Sequence, residues 1–211
     1  MIQEGLTRFS KLPAASRTSI VTRVQELSGG HPLNNYFLTL EFAKHWGKNG
    51  ITDSDIAASL DRLINLLLRD QQEKRDYFEA LCVLEGFREW EVSTLLDIYL
   101  STNTYREQPR QVRHVVNTLL ETHLVQWAEE SKVYVINESV RYILEEFLKR
   151  RRELMWRRLH EGALALYQSW IKKQPKSSLF RERARYHANI LGVDVDSQSV
   201  ALELSVVGSN V

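Results

Sequence analysis

Arg110, Gln111, Arg113, His114 and Asn117 lie close together in one short, apolar-patterned segment. These are the side-chain types that contact phosphates and base edges when a helix enters a DNA groove. A second basic cluster is longer. Between 149 and 185 there are twelve Lys or Arg, among them Arg150, Arg151, Arg157 and Arg158, against the three acids Glu153, Glu161 and Glu182. Such a stripe meets nucleic acid or an acidic protein surface when it stands free, and is a solvated helix face when acids elsewhere balance it. A third feature is Ser28-Gly29-Gly30-His31-Pro32. Glycine supplies the left-handed conformation that closes one helix, and proline, with φ preset and no N–H to lose, suits the first turn of the next. The outcome is a rigid helical corner with its backbone exposed. The fourth is Asn137, which stands just ahead of a helical pattern where asparagine is a favoured capping residue.

Other chemistries find no residues to carry them. The six histidines, at 31, 45, 114, 123, 160 and 187, form no metal-ligand spacing. No Ser/His/Asp or Cys/His arrangement can be assembled. The phosphate-cradling G-x-x-x-x-G-K-[ST] sequence is absent, and the glycine pair at 29 and 30 lacks the lysine, the hydroxyl and the preceding strand that such a loop needs. The chain alone is therefore expected not to hydrolyse ATP.

The elements that must position these residues follow from hydrophobic spacing. Residues 14–27 and 33–46 read as two amphipathic helices around the Gly-Gly corner. The loop signal Gly47-Lys48-Asn49-Gly50 and the capping run Thr52-Asp53-Ser54-Asp55 precede a third helix through Leu67. A charged run over 69–75 marks a soft boundary. Beyond it, helices are expected over 77–84, 89–100 and 110–121, followed by an alternating segment from Leu124, a polar turn at Glu129-Glu130-Ser131-Lys132, and Val133-Tyr134-Val135-Ile136. Three helices followed directly by a hairpin is the order of a winged helix. A long helical pattern over 139–170 is expected to bend near Gly162, and a further helix covers 179–191. The reading is thus mainly α: a small helical bundle (1–70), a winged helix with a short β-hairpin (71–146), C-terminal helices forming an arm or the start of an α-solenoid (147–193), and a tail (194–211).

With 211 residues and 43% hydrophobic content the chain can bury a substantial core. Its net charge of +1, from 28 basic and 27 acidic residues, gives no global pull toward nucleic acid or an anionic membrane. The one cysteine, Cys82, lies in an apolar run, which excludes an intramolecular disulfide and points to a reducing, cytoplasmic setting. No apolar stretch of about 18 residues is available to span a membrane, and no secretory leader pattern opens the chain.

The corner Gly30-His31-Pro32, followed by a winged-helix pattern and an α-helical segment, resembles the C-terminal side of a STAND-type NTPase, the NB-ARC/NACHT branch of the AAA+ group. The resemblance covers most of 14–190. It implies that the corner sits over the adenine of a nucleotide, and that a motif after the wing reaches the β-phosphate of ADP. The aligned segment here is Val135-Ile136-Asn137-Glu138-Ser139-Val140, with Asn137 where the family carries histidine. An asparagine amide still donates to a phosphate oxygen but cannot become a cation. The resemblance further implies ATP or ADP with magnesium held by a nucleotide-binding core upstream in cis, and protein partners or self-association. If the chain serves such a switch, the polar side chains of the 110–121 helix should be partly covered. If it is instead a nucleic-acid-binding winged helix with a basic arm, that helix should stand free beside a contiguous positive surface.

Overall fold

A computed structural model of the chain describes residues 2–46, 50–68 and 72–194. The loop at 47–49, residues 69–71 of the charged run, and the tail beyond 194 lie outside the described residues. Eleven helices and one antiparallel hairpin make up the described part, so the fold is mainly α with a short β-hairpin.

The N-terminal bundle is α1 (Ile2–Lys11), α2 (Ala14–Ser28), α3 (Pro32–His45) and α4 (Asp53–Leu68). Here α1 is an addition to the three helices expected from spacing, and it packs along α3. The central region follows as α5 (Gln72–Leu81), α6 (Glu89–Leu100), the single turn α7 (Thr104–Glu107), α8 (Pro109–Leu120), β1 (Val125–Ala128) and β2 (Val133–Ile136). The hairpin register pairs Val125 with Ile136 and Ala128 with Val133. Phe87, between α5 and α6, adds one further rung: its N–H and carbonyl bond the carbonyl and N–H of Tyr134, both at 2.8 Å. Helix, bridge, helix, helix, hairpin is the winged-helix order. Gly86 stands beside that rung because a Cβ there would come within 2.7 Å of Val133 Cγ2.

The long pattern over 139–170 is two helices, α9 (Glu138–Arg151) and α10 (Glu153–Lys173), and α11 (Ser178–Leu191) returns along α10. The break falls at Arg152, not at Gly162. Arg152 leaves the helical region (φ −138°, ψ 51°), and its guanidinium bonds Glu79 and the Tyr99 hydroxyl, far away in sequence. Gly162 stays inside α10 for a packing reason: a Cβ there would lie 2.2 Å from Ile98 Cδ1 on α6. Glycine is used at that point for close approach of two helices.

A single hydrophobic core runs from Ile20 and Leu38 in the bundle through Phe78, Leu95 and Leu119 to Leu159 and Ala184. α9 is its centre. It buries Val140, Ile143, Leu144, Phe147 and Leu148 and packs against α2, α4, α5 and α10, so it runs across the 146/147 division expected from sequence.

Candidate functional site

The corner is built from four adjoining residues. Gly29 (φ 59°) and Gly30 (φ 79°) both take the left-handed conformation, and the buried Ser28 hydroxyl accepts the Gly30 N–H at 3.1 Å while donating to Asn35 Oδ1. Asn35 Nδ2 returns a bond to the Gly30 carbonyl at 3.3 Å. His31 is the N-cap of α3 without a side-chain cap bond, and Pro32 is the first helical residue. Gly29, Gly30, His31 and Pro32 are all exposed. Pro32 has no N–H, Asn34 is buried and the Asn35 N–H bonds the His31 carbonyl at 2.9 Å, so Leu33 is the one exposed residue of the first turn of α3 with an N–H to offer an acceptor.

Asn137 caps α9. Its Oδ1 accepts the N–H groups of Ser139 at 3.2 Å and Val140 at 3.4 Å, and the Ser139 hydroxyl at 2.7 Å. With Oδ1 so engaged, the exposed Nδ2 is the donor left over. The corner packs against the helix that this cap opens. A methyl group placed on Gly29 would lie 3.9 Å from Cβ and Cγ of Tyr142, in the second turn of the helix that Asn137 opens. Tyr142 carries no signal in the sequence beyond its place in an amphipathic helix.

α8 turns Val112, Val115, Val116 and Leu119 inward and leaves Arg110, Gln111, Arg113, His114 and Asn117 exposed. The helix thus stands free, without the partial cover expected of a switch segment, but the charge around it is mixed: Arg113 lies 3.6 Å from Glu89, and Glu107 and Glu121 are exposed at its two ends. The long basic stretch is partly consumed. Arg150 pairs with Asp53 of α4 and with Glu146 and is largely covered, so it leaves the expected surface. Arg152 and Arg183 turn to buried carboxylates. Arg151, Arg157 and Arg158 remain exposed.

Sequence reasoning missed the buried polar chemistry around α6. Glu79 is 2% exposed, bonded by Arg75 at 2.6 Å, Arg152 at 3.2 Å and the Tyr99 hydroxyl at 2.5 Å. Glu91 is 1% exposed, bonded by Arg183 at 2.6 Å, the Tyr167 hydroxyl at 2.8 Å and the Arg88 N–H at 2.7 Å. Burial raises the Glu91 carboxyl above its ordinary value, and Arg183 only partly opposes this. Tyr99 and Tyr167 are pushed well up, first by burial and then by the adjoining carboxylates. Behind Tyr167 lies a histidine pair, with His160 Nδ1 and His187 Nδ1 2.8 Å apart, so that one ring donates and the other accepts. His187 is pushed down to about 3, by burial first and then by His160. The signal for the carboxylates was an acid set inside an apolar run, as in Phe78-Glu79-Ala80-Leu81 and Trp90-Glu91-Val92.

Among the described residues no cluster of His, Cys, Asp or Glu is arranged to hold a metal ion, and no helix is long and apolar enough to cross a membrane. Comparison with protein-family models, curated proteins and solved structures returns no match for this chain.

Proposed function

We propose that this chain is the lid and winged-helix relay of a cytoplasmic STAND-type signalling ATPase, responding to the state of a nucleotide held by an upstream core in cis. One observation carries the reading. The Gly29-Gly30-His31-Pro32 corner and the helix capped by Asn137, more than a hundred residues apart in sequence, meet at Tyr142. A relay that reads one nucleotide from two motifs requires that meeting. The donors on the two elements suit an anionic ligand: the Leu33 N–H at the start of α3 and Asn137 Nδ2 at the start of α9. Magnesium and the bulk of phosphate binding would belong to the core, as the resemblance implies. The shared core of bundle, winged helix and α9 supports transmission by rigid-body movement.

The test is a titration of the intact protein with ADP, followed by amide NMR. Weak binding is expected, with shifts confined to residues 29–33 and 137–142, and no ATP turnover. Shifts centred elsewhere, or robust hydrolysis by the pure protein, would overturn the reading.

The free polar face of α8 favours a second reading, a winged-helix nucleic-acid-binding protein with a basic C-terminal arm. The acids Glu89, Glu107 and Glu121 count against it, because they interrupt the positive surface. DNA affinity that falls steeply with salt, and falls further in Arg110→Ala and Arg113→Ala, is the result this reading demands.

A further inference from the structure

Between α9, α10 and α11 lies a cavity of about 310 Å³, lined by Arg141, Tyr142, Glu145, Lys149, Trp156 and Tyr186 among others. Its size is at the lower end for sites that take small molecules. Three of those residues are aromatic. The charges mostly cancel: Arg141 pairs with Glu145 at 3.2 Å, and the neighbouring Glu146 pairs with Arg150 at 3.3 Å. That leaves the Lys149 ammonium as the lining charge with no carboxylate partner among the described residues. It lies over the Trp156 ring instead, 5.6 Å from the centroid. Trp156 is 7% exposed, and its indole N–H finds no acceptor.

We propose that this cavity binds a small aromatic acid: a flat ring held among Tyr142, Trp156 and Tyr186, and an anionic oxygen that pairs with Lys149. The ring replaces the Lys149 stem on the indole face, and the anion gives the ammonium the partner it lacks. The site shares Tyr142 with the proposed nucleotide junction but uses neither His31 nor Asn137, so its failure is told from that of the nucleotide reading by Trp156 and Lys149, which the junction does not involve.

The experiment follows the indole N–H resonances of the five tryptophans in the intact protein, with Trp156 identified by Trp156→Phe. Indole-3-acetate and phenyl phosphate are the two anionic probes, and indole-3-acetamide is the neutral control. The Trp156 resonance is expected to move with at least one anion at millimolar concentration, and which anion it is separates a carboxylate from a phosphate ligand. Lys149→Gln, at an exposed position, should weaken that binding about tenfold, and the amide should bind at least about tenfold more weakly. A still Trp156 resonance at about 10 mM of both anions, equal binding of the amide, or unchanged affinity in Lys149→Gln would each overturn the proposal.

Discussion

The buried carboxylates on the two flanks of α6 are built from the same parts, glutamate, tyrosine and arginine, but not with the same security. Glu79 is held by two guanidiniums. Arg75 comes from the next turn of its own helix and is itself shared with Asp61 and Asn65, while Arg152 arrives from the α9–α10 break. Glu91 has one, Arg183, drawn from the last helix of the described chain. The lesson is that the number of partners decides what a buried charge can survive. Removing one of two leaves a pair, whereas removing one of one leaves an uncompensated ion.

That contrast breaks most visibly at Arg183. Arg183→Ala should cost about 3–5 kcal/mol in urea unfolding, since Glu91 keeps only a tyrosine and an amide. A loss under about 1 kcal/mol would mean that Glu91 takes up a proton at negligible cost, and the asymmetry would vanish.

Acid should find the same flank. The His187 ring protonates near its ordinary value in the unfolded chain but only at about 3 in the folded one. Between those values the unfolded state alone takes up the proton, so stability declines as pH falls across the window and is flat above it. The full effect is on the order of 5 kcal/mol. Glu91, whose value is raised by burial, acts with the opposite sign. Hydrogen exchange should show α11 losing protection before α5 as the pH is lowered, and His187→Leu should abolish that order. Simultaneous loss in both variants would exclude the histidine as the cause.

Two smaller effects sharpen the comparison. Gly162→Ala pushes a methyl group onto Ile98 and should cost about 1–2 kcal/mol, the lower figure if the end of the isoleucine side chain swings aside. Thermal melts would read it. Arg152→Ala should cost about 1 kcal/mol, because Arg152 is 44% exposed and Arg75 remains on Glu79. A loss as large as that at Arg183 would show that Arg75 cannot hold Glu79 alone.

Much of this fold is legible in the residues. Apolar spacing places α2, α3, α4, α6, α8 and α11, and the Gly-Gly-His-Pro corner and the Asn137 cap are both recognisable because capping chemistry is local. α1 carries the apolar trio Ile2, Leu6 and Phe9 at helical spacing, with Gly5 inside it weakening the signal. The misplaced bend has a clear cause. Glycine is the residue whose intrinsic preference opposes a helix, yet packing on α6 keeps Gly162 helical, and Arg152 is drawn out by partners 73 and 53 residues away. The Glu91 cluster joins residues separated by 76 and 92 positions, and no local pattern encodes such a meeting. The same holds for the contact of Gly29 with Tyr142, which joins the corner to α9.

The missing side chain at Gly162 has a mechanical meaning as well. With the tip of Ile98 seated against bare main chain, α6 and α10 are keyed together, and neither slides along the other without first lifting that tip clear. A twist applied to the C-terminal helices is therefore delivered to the three-helix module without slack, and the two turn as one block.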